Sequence, residues 1–498
     1  MDGRPTEGRR ENTDTLQGHL GPFAHRQGNG GDEGTGGQVR QVRLPGRPLG
    51  LGQFQRVQKS VLIKGKSKVT ERRTFLKQST GLALGSLGLS PLSGFAEADD
   101  AETLFLKRPK AKKIIYLFID GGLSQIDSFD PKPKMGNVMM DTKVIDTKID
   151  GIRYGHYFPQ LAEHIDKYCL IRSMSTGTAS HGTGVYVTHR NYRPGTANHP
   201  PIGAWVSKML PTLNENLPKT VAIHERSQGL GSSGGFFGAK HAATTIPVAA
   251  NGLPAGKQLA NVSDERAAER LKALKTLNEE FHRLNQSNFV KDHVDVLDNT
   301  LSLLRSPDFS AFDLSKESDQ TRERYGDSKL GRGLLLARRL VENDVRFVEV
   351  TTSGWDHHNN IMDEMGRMGP MLDRALAALI SDLDASGLLD ETLVAVTTEF
   401  GRQNHVSGKA GRDHGPGGYC QILAGGGTKK GFVFGKTVED AQGVEDKKDK
   451  VSPEDFFVTM AYALGLDYNK KYLSLDKREF AMNNQGKGQP VTALFEAT

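Results

Sequence analysis

Carboxylate and imidazole side chains follow several apolar segments of this sequence, and Asp356 with His358 is the clearest case. The two residues come after the apolar run at 346–351 and after Gly354. In an extended chain, residues two apart point to the same side, so Asp356 and His358 would converge while His357 points elsewhere. A carboxylate and an imidazole are half of a metal site. The alternative is that both are loop side chains that cap the following helix.

Three other residues with the same chemistry are placed in a similar way. Asp120 follows the apolar run at 114–119, Glu399 follows the run at 393–398, and His414 lies in a glycine-rich loop beyond it. A carboxylate at the mouth of a buried strand is costly unless a cation or a helix N-terminus stabilises it. Carboxylates and neutral imidazoles are ligands of divalent metals, with Zn²⁺ and Mn²⁺ favoured here, and the full set could bind one or two ions.

Hydroxyl side chains that could act as a nucleophile occur after another apolar run, at 168–174. Ser180, His181 and Thr183 lie at a predicted strand-to-helix turn, where a hydroxyl would meet the positive end of a helix. The alternative is that Ser180 or Thr183 only caps the helix. Arg402 carries a fork of N–H donors that could bind a tetrahedral anion. Together with two metal ions, such a set would suit displacement at a phosphoryl or sulfuryl group.

Apolar runs that alternate with amphipathic segments would position these side chains. Strands are predicted at 114–119, 168–174, 346–351, 393–398 and 419–423, and helices at 264–285, 288–305, 319–343 and 363–386. This order predicts an α/β fold with a mostly parallel sheet and helices on both faces. The segment 195–259 is rich in Gly, Pro, Ser and Thr and is predicted to be irregular. A helical insert is expected at about 260–310.

The charge of the chain is concentrated at its start. The sequence holds 65 Lys and Arg against 59 Asp and Glu, which gives +6. Residues 1–96 contain 15 of the basic and 7 of the acidic residues, so the rest of the chain carries 50 against 52 and is close to neutral. A folded domain with this balance lacks the basic surface that nucleic-acid binding requires.

The first 110 residues are predicted to precede the folded domain. Residues 1–69 have few large apolar side chains and are predicted to be a disordered leader, or one that a mis-annotated start has added. Residues 70–96 contain RRTFLK and a short apolar stretch, which is typical of a twin-arginine export signal. A membrane anchor is the alternative, but the stretch is too short and too rich in glycine. A linker at 97–110 would then lead into one α/β domain at 111–498.

Export by the twin-arginine machinery places the mature protein in the periplasm or at the cell surface. That machinery carries folded proteins, often with a cofactor already bound, which agrees with a metal site. Only Cys169 and Cys420 are present, too few for a disulfide framework. The two could form one bridge, but buried small apolar residues are the favoured interpretation.

Several motifs together resemble the exported family called domain of unknown function 1501. They are RRTFLK, LFIDGGLSQIDSFDPKP, LLARRLVENDVRFVEV, GWDHHNN, TTEFGR and GRDHGP. The likeness covers residues from about 70 to 498. The family is similar in overall plan to the alkaline phosphatase and sulfatase superfamily, whose members bind two metals at strand ends and carry a nucleophile after the second strand.

The resemblance implies roles for the candidate residues, with two departures. Asp120 matches the first Asp of the superfamily, Asp356 with His358 matches the first Asp and His pair, and His414 matches the last His. The second pair is replaced by Glu399 and Phe400, which would remove one ligand. The sequence around 180 lacks Cys-x-Pro-Ser-Arg, which argues against a formylglycine sulfatase and leaves a hydroxyl nucleophile.

These observations predict an exported, metal-dependent hydrolase of phosphate or sulfate esters. The substrate would be a small-molecule ester or a sulfated or phosphorylated glycan, and neither nucleic acid nor a stable membrane span is expected. The competing hypothesis is a catalytically degenerate, metal-stabilised binding protein with the same fold.

Overall fold

A computed structural model describes residues 110–195, 197–224, 230–248, 263–285, 303 and 306–496. The predicted leader, export signal and linker lie outside the described residues, apart from Lys110. So does the predicted helix at 288–305, apart from Leu303. Within these limits, none of the helices has the length and apolar character needed to cross a membrane.

An eight-stranded sheet forms the centre of the described chain, and five of its seven strand pairs are parallel. The strands in chain order are β1 (Lys113–Asp120), β2 (Val144–Asp146), β3 (Arg153–Gly155), β4 (Tyr168–Met174), β5 (Thr220–His224), β6 (Thr244–Pro247), β7 (Phe347–Ser353), β8 (Thr392–Thr397), β9 (Gly401–Arg402), β10 (His414–Gly415), β11 (Tyr419–Ala424), β12 (Phe432–Phe434), β13 (Tyr472–Leu473) and β14 (Glu479–Phe480). The order across the large sheet is β12-β4-β11-β8-β1-β7-β5-β6. Only β11 runs antiparallel to its neighbours β4 and β8. The predicted mostly parallel sheet is confirmed.

Helices cover both faces of the sheet, as predicted. They are α1 (Pro159–Glu163), α2 (His181–Arg190), α3 (Ile202–Met209), α4 (Asp264–Asn285), α5 (Asp319–Tyr325), α6 (Lys329–Glu342), α7 (Ile361–Ala385) and α8 (Pro453–Ala463). The single helix predicted at 319–343 is in fact two. Gly326 has φ 78° and ends α5, and the side chain of Ser328 then caps α6 by accepting from the backbone N–H of Gly331.

The prediction of an irregular segment at 195–259 was wrong in part. This segment contains α3 and the strands β5 and β6 at one edge of the sheet. Strand β5 is only five residues long, yet all of it is buried because it pairs with β7. Its apolar run is too short to stand out from the glycine and proline around it. Pairing with a long neighbouring strand therefore decided the structure here.

The central strand β1 is buried on both faces, so its carboxyl end is held in place. Ile115, Leu117 and Ile119 pack with α6 and α7, and the residues that alternate with them, among them Tyr116 and Phe118, pack with α3 and α8. Truncating one of these side chains, as in Leu117→Ala, costs about 2–5 kcal/mol in a typical core. The end of β1 is thus a rigid platform for Asp120.

Both cysteines are free and buried, which agrees with the favoured interpretation over the bridge. Cys169 lies on β4 and Cys420 on β11. Burial raises the pKa of Cys169 to about 12 and raises that of Cys420 as well. Neither thiol is therefore a candidate nucleophile.

Candidate metal centre

Three parallel strands deliver carboxylates to one edge of the sheet. Strand β1 ends at Asp120, which pairs in register with Ser353 at the end of β7. The hydroxyl of Ser353 donates to Asp120 Oδ2 over 3.3 Å. Asp356 follows β7, and Glu399 follows β8, the neighbour of β1 on its other side. The predicted convergence at the carboxyl edge follows from this parallel arrangement.

Gly121 allows the end of β1 to approach the segment that carries Asp356. Its φ is 126°, and a Cβ atom at this position would lie 2.5 Å from the backbone nitrogen of Asp356. The backbone N–H of Trp355 also donates to the carbonyl of Asp120 over 3.3 Å. Only glycine permits both this backbone conformation and this approach.

The carboxylate of Asp356 is the centre of the site. Its Oδ1 atom lies 3.1 Å from Nε2 of His358 and 3.1 Å from Nε2 of His414. The two imidazole nitrogens are 2.9 Å apart. The structure therefore brings one oxygen and two nitrogens within about one hydrogen-bond length of each other.

The outer nitrogens of these two imidazoles show which nitrogen carries the proton. Nδ1 of His358 lies 2.9 Å from a carboxylate oxygen of Asp413, and Nδ1 of His414 lies 2.7 Å from the carbonyl oxygen of Ala179. Both partners only accept, so each Nδ1 must donate. In the neutral imidazoles, both Nε2 atoms then present lone pairs to each other and to Asp356. Three converging lone pairs repel unless a cation lies among them.

The donor set fits a divalent metal ion. Carboxylate oxygens and imidazole nitrogens are ligands of divalent ions, and the ligand atoms of one such ion lie about 3.0–3.4 Å from one another. The three separations observed here are 2.9, 3.1 and 3.1 Å. The outer contacts of His358 and His414 also match the partners that usually orient metal-binding histidines.

His181 joins the site from the first residue of α2 and was not selected as a ligand from the sequence. Its Nδ1 lies 2.7 Å from Glu399 Oε1, and its Nε2 lies 3.1 Å from Asp356 Oδ2. Donor atoms of His181, Asp356 and His414 all lie within 4.8 Å of one another. The hydrogen bond to Glu399, opposed by burial, raises the pKa of His181. In the sequence, the only feature that pointed to a role for His181 was its position between the candidate nucleophiles Ser180 and Thr183.

Glu399 holds His181 in place and has little capacity left for a metal. Its side chain is fully buried. Oε1 accepts from the backbone N–H of Gly121 over 2.9 Å and from His181, while Oε2 accepts from the hydroxyl of Thr398 over 3.1 Å. We therefore infer that Glu399 orients His181, while direct binding of the ion by Glu399 stays a prediction that these hydrogen bonds make less favourable.

Asp120 lies at the border of the site. Burial, together with repulsion from Glu399, raises its pKa. A nearby cation would offset this cost, as the sequence argument anticipated. Within the described structure the carboxylate of Asp120 accepts one side-chain hydrogen bond, from Ser353. It has no hydrogen bond with Asp356, His358 or His414.

Arg402 is not placed to bind a substrate anion, contrary to the expectation from the sequence, because its guanidinium is buried and donates to protein acceptors. Its side chain is fully buried. It donates to the carbonyl oxygens of Gly121, Gly122, Trp355 and Arg412 and to Oδ1 of Asp356. Burial of Asp356 favours its neutral form, but the hydrogen bond from Arg402 and the positive charge of its guanidinium outweigh this and lower the pKa of Asp356 to about 2. Arg402 therefore acts by fixing Asp356 in its ionised form.

In the described structure the hydroxyls of Ser180 and Thr183 form no hydrogen bond with the donor side chains. Ser180 precedes α2 at the N-cap position, is exposed, and makes no capping hydrogen bond through its side chain. In the part of the chain that is described, neither hydroxyl forms a hydrogen bond with Asp356, His181 or His414. The expected divergence of His357 is confirmed, since it is buried and its Nε2 faces the carbonyl of Gly354 at 3.0 Å.

A buried ion pair fixes the loop that carries His414. The guanidinium of Arg412 donates to both oxygens of Asp127 over 2.7 and 3.1 Å, and both side chains are fully buried. The hydroxyls of Ser124 and Thr142 also donate to this carboxylate. The pair thus ties the loop at 403–413 to the segment after β1.

Comparison with known proteins supports a family assignment and shows distant structural similarity. A model of the family described as "Protein of unknown function (DUF1501)" matches residues 111–495, and no curated protein matches the sequence. The PsFucS1 sulfatase from Pseudoalteromonas sp. is 13% identical, with a TM-score of 0.36 over 80% of this chain and 75% of that chain. A TAB5 alkaline phosphatase mutant with Mg bound is 12% identical, with a TM-score of 0.32 over 72% of this chain and 99% of that chain. The phosphonate monoester hydrolase SpPMH from Silicibacter pomeroyi is 11% identical, with a TM-score of 0.33 over 78% of this chain and 77% of that chain.

Proposed function

The chain belongs to the DUF1501 family of proteins of unknown function, as its motifs predicted, and we propose a function for it from the geometry of its site. We propose that it is an exported, metal-dependent hydrolase of phosphate or sulfate esters. The substrate class includes small-molecule esters and modified glycans. The single observation that supports this proposal best is the convergence of three lone-pair donors at Asp356.

Asp356, His358 and His414 would bind the divalent ion, with His181 and Asp120 beside it. An ion bound there supplies charge that polarises an ester oxygen and activates water. The protein orients its donors through hydrogen bonds from the other side. Asp413 and Ala179 fix the two imidazoles, and Arg402 fixes the carboxylate. This pre-organisation fits binding of a divalent metal and is an unusual arrangement for a purely structural loop.

Zn²⁺ and Mn²⁺ are the metals that the donor set favours. Two imidazoles and a carboxylate suit both ions, whereas Mg²⁺ and Ca²⁺ prefer oxygen ligands. Asp120 lies at the border of the site and would be the anionic ligand of a second ion. Export rests on the twin-arginine pattern at 70–96, which leads to a location in the periplasm or at the cell surface.

Elemental analysis of the purified protein, followed by a screen of phosphate and sulfate esters, tests the proposal. We expect about one or two equivalents of a transition metal, lost in Asp356→Ala and in His414→Ala, with turnover lost in the same variants. The matched control is His405→Ala, because His405 is an exposed histidine in the loop before His414. Absence of metal after incubation with zinc or manganese would overturn metal dependence, and a metal-loaded protein that hydrolyses none of the esters would overturn the activity.

Two observations favour a metal-stabilised binding protein as the second candidate. In the described structure the hydroxyls of Ser180 and Thr183 form no hydrogen bond with Asp356, His181 or His414, and the guanidinium of Arg402 is fully buried. A protein of this kind would bind the metal and a phosphate or sulfate group without turnover. Calorimetry with inorganic phosphate and with a 4-nitrophenyl ester separates the two functions, because only an enzyme consumes the ester.

A further inference from the structure

We propose that the hairpin of β13 and β14 binds a membrane surface that carries anionic lipids, and that two leucines at its tip insert into that surface. Leu473 is 63% exposed and Leu475 is 91% exposed. No other large apolar side chain in the described part of the chain is as exposed as Leu475. The inference does not involve the metal centre and is independent of the proposed hydrolase function.

Aromatic packing anchors the base of the hairpin and so fixes the position of its tip. Tyr472 on β13 pairs with Phe480 on β14, and Phe480 is buried. The ring of Tyr472 lies 5.5 Å from that of Trp205 and 5.4 Å from that of Phe237, measured between centroids. Successive side chains of a strand point to opposite faces, so Leu473 points away from this contact. The hairpin thus presents Leu473 to solvent from an anchored strand.

The turn at the tip contains two residues that turn chemistry does not favour. The backbone N–H of Lys477 donates to the carbonyl of Ser474 over 2.9 Å, which closes a turn with Leu475 and Asp476 at its centre. Central turn positions favour polar residues, glycine and proline, yet the first is a leucine. Lys477 has φ 63°, a conformation that glycine adopts at the least cost. Because neither choice helps the turn to form, we attribute both to binding.

The charges around the tip leave a positive excess. The two acidic side chains are already paired with basic neighbours: Asp476 with Arg478 at 2.5 Å, and Glu479 with Lys471 at 3.2 Å. Over the residues that the structure describes, Lys470 and Lys477 form no ion pair. The ammonium group of Lys470 lies 5.7 Å from the centre of the Tyr472 ring. Two free cations beside two exposed leucines complement the phosphate groups and the apolar interior of an anionic lipid surface.

The size of the tip favours a lipid surface over a second protein. A specific protein interface buries about 800 Å² on each partner, far more than two leucine side chains provide. A lipid surface is fluid and accepts single apolar side chains at the level of its headgroups. The tip therefore has the area and the chemistry for peripheral membrane binding.

A fluorescent probe at the tip tests the insertion directly. A polarity-sensitive label on Leu475→Cys in the full chain is mixed with vesicles of phosphatidylglycerol and phosphatidylcholine, or of phosphatidylcholine alone. The native Cys169 and Cys420 are buried and do not compete for the label. We expect a blue shift with the anionic vesicles that weakens as salt is added. The same label on Leu213→Cys, an exposed leucine elsewhere, should not shift. No shift at 475, or an equal shift with the neutral vesicles, overturns the proposal.

Vesicle co-sedimentation of the unlabelled full chain measures the contribution of each group. Serine at both 473 and 475, as Leu473→Ser with Leu475→Ser, should weaken binding to the anionic vesicles about tenfold or more. Lys477→Glu should weaken it about fivefold or more, because one attraction becomes a repulsion. Leu213→Ser is the matched control and should bind as wild type does. Binding of the double serine variant that equals that of wild type would rule out the hairpin as the contact.

Light scattering without lipid separates the membrane from a second copy of the chain. Wild type and the double serine variant should have the same molar mass in solution. A larger mass for wild type would show that another copy covers the leucines, and the lipid assignment would then be wrong. Ester hydrolysis in solution should be equal in the two proteins, so failure of the hydrolase proposal would leave this one intact, and the reverse also holds.

Discussion

The carboxylate of Asp356 lies 2.5 Å from Nη2 of Arg402, a guanidinium that is fully buried and that also donates to four backbone carbonyls. Arg402 thus connects the end of β1, the segment after β7 and the loop before His414 through one side chain. Asp356 remains 43% exposed on its other side, where the imidazoles converge. The pair explains how a carboxylate can be both rigid and open to a ligand.

Replacing Arg402 by lysine should destabilise the protein and weaken metal binding. A lysine has one ammonium group where Arg402 uses three nitrogens, so several buried carbonyls would lose their donor. We expect a loss of about 3 kcal/mol in the free energy of unfolding, measured by urea denaturation. Unchanged stability would show that water can replace the guanidinium.

Removing the side chain of Asp413 should weaken metal binding while leaving the fold intact. Asp413 is exposed and accepts from Nδ1 of His358, so its loss frees the imidazole to rotate and to change tautomer. Outer partners of this kind typically contribute about tenfold in metal affinity. Competition with a chromogenic chelator measures the affinity of Asp413→Ala, with His405→Ala as the control. Equal affinities in the two variants would contradict the role given to Asp413.

Breaking the Asp127 and Arg412 pair should loosen the loop that carries His414. Removal of one partner of a fully buried ion pair typically costs about 3–5 kcal/mol. We expect Arg412→Met to be destabilised by this order and to be cleaved faster within 403–413 by a protease. The double variant Asp127→Leu with Arg412→Met should recover part of the stability, because no unpaired charge remains. If the double variant is less stable than the single one, the cost lies in packing and the ion-pair account fails.

Asp373 should make stability depend on pH in a region away from the site. Burial raises the pKa of Asp373 to about 6, although the backbone N–H groups of Gln160 and Leu161 donate to it. Because the folded pKa lies above the unfolded one, the contribution of this group falls as pH rises from about 4 to about 6.

Asp373→Asn removes this titration and retains one acceptor oxygen. The free energy of unfolding of the variant relative to wild type should therefore rise by about 2 kcal/mol between pH 4 and pH 7. Urea unfolding at several pH values measures the difference. A difference that stays constant with pH would show that Asp373 titrates normally in the folded state.

Both thiols should be unreactive in the folded protein. Cys169 and Cys420 are buried, and burial raises the pKa of each, so the reactive thiolate is scarce at neutral pH. A disulfide-exchange reagent should modify neither residue under native conditions and both after unfolding in denaturant. Rapid modification of the native protein would show that β4 or β11 opens locally.

Sequence alone predicted the parts of this protein that depend on local patterns. Apolar runs predicted the five strands β1, β4, β7, β8 and β11, since buried strands have a strong and local signal. Spacing predicted that Asp356 and His358 would converge and that His357 would point away, because side-chain direction in extended chain follows from the backbone. The motif set also identified the family. Short strands paired only through their neighbours, such as β5, had no such signal.

The tertiary structure decided which of the candidate residues meet and what each contacts. His181 joins Asp356 and Glu399 only because α2 packs at the same edge as β7 and β8, which are more than 150 residues away in sequence. Arg402 and Glu399 are buried among backbone groups from distant segments that occupy their hydrogen-bonding capacity. Residue type states what a side chain can bind, but the packing of non-local segments determines which partners remain available to it.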